Sequence, residues 1–184
     1  MKKVPIIAIL ALITAISGFT QQSYITHEGV ISFYSSAPLE DIEAENRRVQ
    51  AILDNTTGEV AIRLRIEDFQ FERALMQRHF NENFMESHIY PEARFAGRIR
   101  NFEEFPAVTT PLEVEVEGAL TIHGVTRETV LSVTIVQRGP HLICDARFPI
   151  AVADYDIDIP RLFIRNIAEV VEVTASFRLS PVNN

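Results

Sequence analysis

Along most of the chain, apolar and polar side chains alternate. Val60, Ile62, Leu64 and Ile66 take turns with Ala61, Arg63 and Arg65, and Val114, Val116, Leu120 and Ile122 with Glu113, Glu115, Glu117 and Thr121. Leu131, Val133 and Ile135 alternate with Ser132 and Thr134, and Val171, Val173, Ala175, Phe177 and Leu179 with Glu172, Thr174, Ser176 and Arg178. A period of two means strands with one dry and one wet face. It excludes a buried parallel sheet, whose strands are apolar on both sides.

The pattern predicts eight strands, at residues 23–35, 42–54, 58–70, 92–102, 111–123, 126–138, 141–153 and 165–180. Short turns containing Gly58, Gly124 and Gly139 join three consecutive pairs, so those neighbours are antiparallel. Eight long antiparallel strands leave two exposed edges unless the sheet closes, and an up-and-down barrel closes it. The fold class expected is therefore all-β, an eight-stranded antiparallel barrel, with a two-sheet sandwich as the alternative. Such a barrel is either filled by its own side chains or holds one small ligand.

The rhythm breaks once, between the third and fourth strands. From Glu72 to about Asn81 the apolar spacing becomes helical, with Phe71, Leu75, Met76 and Phe80 on one side and Glu72, Arg73, Gln77 and Arg78 on the other. An irregular stretch follows to Tyr90, and Pro91 stops any further helix. This predicts a short helix and lid loop over one mouth of the barrel.

The first residues stand apart from this pattern. Met1-Lys2-Lys3 is a short basic start, Val4 to Ile16 is an apolar run, and Ala15, Ser17 and Gly18 supply small residues. That is the layout of a secretory signal, residues 1–20, cut somewhere between Ser17 and Gln22. The alternative is a membrane anchor, for which about 20 apolar residues are needed. No cysteine stands near the cut, so no lipoprotein is expected, and residues 21–184 form one domain in a periplasmic or extracellular space. Losing Lys2 and Lys3 leaves 15 basic residues against 25 acidic ones, a net charge of −10, which disfavours nucleic acid as a partner. With Cys144 the sole cysteine, no disulfide framework exists, and its place after Leu142 and Ile143 marks it as a core thiol.

Candidate chemistry is thin. The stretch "RHFNENFMESHIYPEARF" holds His79, Glu82, Glu86 and His88, but the two histidines are nine residues apart with no zinc-type pairing, and they are expected on the outer face with the glutamates. His27, His123 and His141 fall in or beside turns and read as surface histidines. "DYDIDIP", from Asp154, places three aspartates like the start of a calcium loop, yet Ile159 stands where glycine is required and Arg165 where glutamate is required. It reads as a solvated acidic strand end. There is no GxSxG serine, and alternation puts Glu113, Glu115 and Glu117 on the wet face. No catalytic residue, metal or conventional cofactor is expected. What remains is apolar: twelve phenylalanines and no tryptophan, with Phe69, Phe71, Phe80, Phe84 and Tyr90 concentrated around the lid. These rings either plug the barrel end or cover a dry cavity.

Two segments carry a family likeness. "FNENFMESHIYPEARFAGRI", residues 80–99, and "VEGALTIHGVTRE", residues 116–128, resemble the YceI-like family of exported bacterial lipid-binding proteins, in which a Tyr-Pro pair leads into a strand and a later strand ends in an Ile-His-Gly-Val hairpin. In place of two other family segments stand "EDIEAENRRVQAILDNTTGEV" and "ADYDIDIP", both expected in the cavity wall. The resemblance implies a lipocalin-like barrel whose interior binds a long polyisoprenoid lipid, such as a quinone tail or carrier lipid, without catalysis, and with transient membrane contact for lipid exchange. The candidate cavity or lid residues are Phe33, Phe69, Phe71, Phe80, Phe84, Phe95, Leu120, Ile122 and Phe148. Ala93, Gly97, Gly118, Cys144 and Ala146 are the small inward positions that would leave room. A solid barrel acting through its acidic surface is the alternative, and the pattern carries no signal for oligomeric state.

Overall fold

The computed structural model describes residues 23–37, 41–102, 108–159 and 168–182. The expected signal segment lies outside the described residues. Among the described residues nine strands form: β1 (Ser23–Ser36), β2 (Asp41–Asp54), β3 (Glu59–Arg65), β4 (Gln70–Phe71), β5 (Glu92–Ile99), β6 (Leu112–Ile122), β7 (Val125–Arg138), β8 (His141–Ala151) and β9 (Val170–Pro181). Eight of them pair antiparallel in a ring, β1-β2-β3-β5-β6-β7-β8-β9 and back to β1, so the sheet has no free edge except at the two-residue β4, which pairs only with β2. The sandwich alternative is excluded by the β1–β9 and β1–β2 pairings, which close the ring.

The turns are made by the chemistry that the sequence offers. Asp54 Oδ1 accepts from the backbone N–H groups of Thr56 and Thr57, at 2.7 and 3.1 Å, and brings the chain round to Gly58. At the β6–β7 hairpin His123 and Gly124 both take left-handed φ values, 50° and 76°, the pair of positive φ angles that a two-residue turn matched to strand twist requires. Gly124 has a second reason to lack a side chain, because a Cβ there would stand 2.6 Å from the ring of Tyr90.

Several boundaries differ from the alternation. The third strand ends at Arg65 and not at residue 70: the Arg65 carbonyl accepts from the side-chain amide of fully buried Asn46, at 2.9 Å, and Ile66–Asp68 form a 3-10 turn before β4 resumes pairing with β2. The fourth predicted strand stops at Ile99, since Asn101 turns left-handed at φ 49°. The seventh ends at Ala151, where a 3-10 turn over Val152–Tyr155 begins. The last begins at Val170; of its predicted start, residues 165–167 lie outside the described residues. The predicted helix is shorter than 72–81: α1 spans Ala74–His79 and passes directly into a π-helical turn, Phe80–Phe84.

Register sorts the side chains. Cross-strand partners Val116 and Leu131, Ile135 and Cys144, Cys144 and Phe177, Ala175 and Ile31 share the inner face, whereas Glu113, Glu115 and Glu117 face outward. Away from the lid the interior is lined by Val49, Leu53, Ile99, Val116, Ile135, Leu142, Phe177 and Leu179, each under 9% exposed. Toward the lid, space remains.

Candidate ligand cavity

Under α1 and the π-turn lies a cavity of about 470 Å³, and beyond it along the barrel a smaller one of about 110 Å³. Ile31, Leu64, Ala93, Leu120 and Phe148 border both, so they form the neck between an upper and a deep chamber. The upper volume lies within the range of pockets that bury most of a small-molecule ligand.

Eight of the nine residues singled out from the sequence border the upper chamber: Phe33, Phe69, Phe71, Phe80, Phe84, Leu120, Ile122 and Phe148. Phe95 does not; its ring borders the deep chamber. Among the small positions, Ala93 lies at the neck and Cys144 and Ala146 border the deep chamber. Gly97 and Gly118 leave no room, a correction with a geometric cause. They sit opposite each other in β5 and β6, a Cβ on Gly118 would fall 2.4 Å from Ala96 O, and the Phe95 ring covers the space above Gly97.

The mouth is held by rings. Phe33 of β1 lies 5.5 Å from Phe69 and 5.9 Å from Phe71, edge-on to both, and stacks on Phe80 at 5.5 Å; Phe80 in turn lies 5.0 Å from Phe71 and 5.6 Å from Phe69. Each such pair contributes about 0.5–1.5 kcal/mol beyond its buried area. β4 brings Phe71 into this group, and the π-turn aims Phe80 and Phe84 at the cavity. Beyond Leu120 and Ile122, sequence reasoning missed Met76, Met85, Ile150 and Val152, and it placed the two segments holding Ile42, Ile157 and Ile159 in the cavity wall without singling those residues out. The last two belong to "DYDIDIP", which is therefore not simply a solvated acidic end: Asp154 is exposed and pairs with Arg127, but Tyr155 is buried and Ile157 and Ile159 are wall. Strict alternation within that segment, polar at 154, 156 and 158, was the signal for this.

The histidines divide. His88 and Glu82 are exposed, as expected, whereas half-buried His79 borders the cavity. His123 is no surface histidine: it is 8% exposed, with Nδ1 3.2 Å from the Tyr155 carbonyl, Nε2 3.3 Å from a Glu86 carboxylate oxygen, and the Tyr90 ring edge-on at 4.3 Å. It pins the lid loop to the β6–β7 hairpin. His141 Nδ1 lies 3.0 Å from Ser180 Oγ. Cys144 is the core thiol expected, 7% exposed, and burial pushes it up to about 12. Among the described residues no group of three His, Cys, Asp or Glu side chains is placed to hold a metal ion.

This architecture recurs in solved structures. A polyisoprenoid binding domain from Saccharophagus degradans implicated in plant cell wall breakdown superimposes with a TM-score of 0.73 at 15% identity, over 88% of this chain and 99% of that one. BcnA of Burkholderia cenocepacia matches at 0.68 and 18% identity, over 83% and 96%. The YceI protein of Campylobacter jejuni matches at 0.57 and 13%, over 77% and 85%. At these identities the likeness is one of fold. No curated protein matches the chain in sequence. The family model of the YceI-like domain, however, matches residues 21–179, nearly the whole barrel, and the chain belongs to that family.

Proposed function

We propose that the barrel binds one long apolar lipid, of polyisoprenoid or isoprenoid-quinone type, and carries it without chemical change. The observation that carries the reading is the upper chamber itself: about 470 Å³, bordered by 25 described residues of which only Ser35, Arg73 and His79 are polar. Burying even about 200 Å² of a ligand's apolar surface there contributes about 5 kcal/mol. The neck leading to the deep chamber gives an elongated ligand a direction in which to extend, with its tail toward Cys144 and Ala146. The polyisoprenoid binding of the Saccharophagus domain supports the choice of lipid class. Export by residues 1–20 to the periplasm, and brief contact with a membrane for loading, belong to the same reading. Open volume on both sides of the neck speaks against a solid-packed structural module.

The test is direct. Protein purified from its native host is extracted with organic solvent and the extract analysed by mass spectrometry, and lipid-free protein is then offered a polyprenol and a quinone. A stoichiometric isoprenoid lipid is expected. Recovery of no lipid, with no retention of either added one, overturns the proposal.

A further inference from the structure

The inward residues of β8 descend through the cavity in order, since side chains two apart share a face. From the mouth downward they are Ile150, which borders the upper chamber, Phe148 at the neck, and Ala146 and Cys144, which border the deep chamber. Leu142 follows, 3% exposed, in the core beneath. The sizes run large, large, small, small, large. From Ile150 to Cys144 the strand rises about 20 Å.

The deep chamber exists because two consecutive inward positions of this strand are small. Ala146 stands between Val133 of β7 and Ala175 of β9, and Cys144 between Ile135 and Phe177. A side chain at 146 as large as those at 148 and 150 would reach into a space of only about 110 Å³. Around that space Leu53, Ile99, Val116, Ile135, Phe177 and Leu179 are each under 9% exposed. Its exposed neighbours, Ile52 and Arg94, belong by alternation to the outer face of the sheet. A chain that enters at the lid therefore meets a dry, closed end.

Resting on the carrier reading, we infer that the deep chamber measures the length of the bound chain: the tail passes Phe148, its end lodges against Ala146 and Cys144, and Ala146 sets the length that the barrel accepts. In a close-packed interior a short chain leaves a void at the bottom. A long one leaves apolar carbon in water at the mouth. One intermediate length fills both chambers and covers its own tail, so the ligand class is an apolar chain of one preferred length and not polyprenyl lipids at large.

The test offers lipid-free protein an equimolar series of all-trans prenyl alcohols and prenyl quinones, from farnesyl through geranylgeranyl to long polyprenyl chains. Delivery from mixed micelles keeps transfer out of water from favouring the longer members. Protein is recovered by gel filtration and its lipid identified by mass spectrometry. One chain length is expected to be enriched about tenfold over much shorter and much longer ones. The added phenyl group roughly matches one isoprene unit in size, so Ala146→Phe should move the preference to a chain about one unit shorter. Arg147→Gln, at its exposed neighbour on β8, should leave the preference in place. A second measurement needs no variant: a lipid of the preferred length with a diazirine at its chain terminus, photolysed in the unaltered protein, should mark deep-chamber residues. That position and the length preference of the unaltered protein decide the matter if Ala146→Phe does not fold. Equal retention of all lengths, a preference that climbs without limit, an unchanged preference in folded Ala146→Phe, or cross-links confined to the lid overturns the inference while the carrier reading stands. Retention of no member of either series overturns both.

Discussion

Glu86 and His123, 37 residues apart in sequence, meet at 3.3 Å and join the lid loop to the β6–β7 hairpin. The two ends of the contact differ in environment: the imidazole is 8% exposed and the carboxylate 44%. Glu86 also adopts a left-handed φ of 41°, and its carbonyl accepts from the backbone N–H groups of Ile89 and Tyr90, at 2.7 and 3.0 Å. The loop that follows the π-turn is thus folded on itself and latched at one point.

Replacement of the two partners should therefore be unequal. His123→Ala leaves the Tyr155 carbonyl without its ring partner and removes the edge contact with Tyr90, so a loss of about 2–4 kcal/mol is expected. Glu86→Gln, half in water, should cost less than about 1 kcal/mol. Urea denaturation gives both values, and amide exchange between Met85 and Tyr90 should quicken in His123→Ala. Equal, small losses would show that the latch carries no weight.

This latch also marks the limit of what the sequence makes legible. The barrel follows from alternation because one face of every strand is dry, whereas the candidate wall positions came from the concentration of phenylalanines around the lid and from the family likeness, and Phe80 and Phe84 lie on a π-helical turn where strand parity says nothing. His123 looked like a surface residue because hairpin turns usually project into water; its burial is produced by Tyr90 and Tyr155, brought over it from a lid loop and a 3-10 turn distant in sequence. The two segments that carried the family likeness turn out to touch there, Tyr90 resting on His123 and Gly124. The end of β3 was hidden for a similar reason: Asn46 is a side chain that substitutes for a strand partner, and no local pattern announces it.

Within the aromatic group, Phe69 and Phe71 should behave differently though only one residue separates them. Phe69 is 6% exposed and belongs to the core, and Phe69→Ala is expected to cost about 3–5 kcal/mol. Phe71 is only half-buried, on the two-residue β4, and Phe71→Ala should cost less than half as much while loosening the mouth. Thermal melts rank the two, and lipid retention reports the mouth; equal destabilisation would contradict the assignment of Phe71 to the rim.

The Gly97–Gly118 pair predicts a sensitive point in the sheet. A Cβ on Gly118 would meet Ala96 O and the Gly97 Cα, both at 2.4 Å, and backbone cannot swing aside as a side-chain tip can. Gly118→Ala should therefore part β5 from β6 at a cost of about 1–3 kcal/mol. Gly139→Ala is the comparison: nothing lies within 4 Å of its Cβ, and only its φ of 62° opposes the change, by about 1 kcal/mol. Denaturation midpoints that place Gly139→Ala below Gly118→Ala would refute the close approach.

Cys144 supplies a dependence on pH. Burial first, and the neighbouring Asp145 second, raise its thiol from an ordinary 9.0 to about 12 in the folded barrel. The folded state therefore holds the proton where the unfolded state gives it up. Below about pH 9 both states carry the neutral thiol and its contribution to stability is intact; between about 9 and 12 the unfolded chain binds fewer protons, and stability falls as pH rises. Cys144→Ala should flatten that part of the profile, because the titrating group is gone. A second consequence follows from the thiolate being the reactive form: at pH 8 the native protein should resist maleimide, and urea should expose it to rapid labelling. The thiol also borders the deep chamber, so an apolar tail reaching that chamber would slow whatever labelling the native protein shows. Rapid modification of the folded protein at pH 8, or an alkaline stability profile unchanged in Cys144→Ala, would mean that the thiol is not buried in the barrel as described.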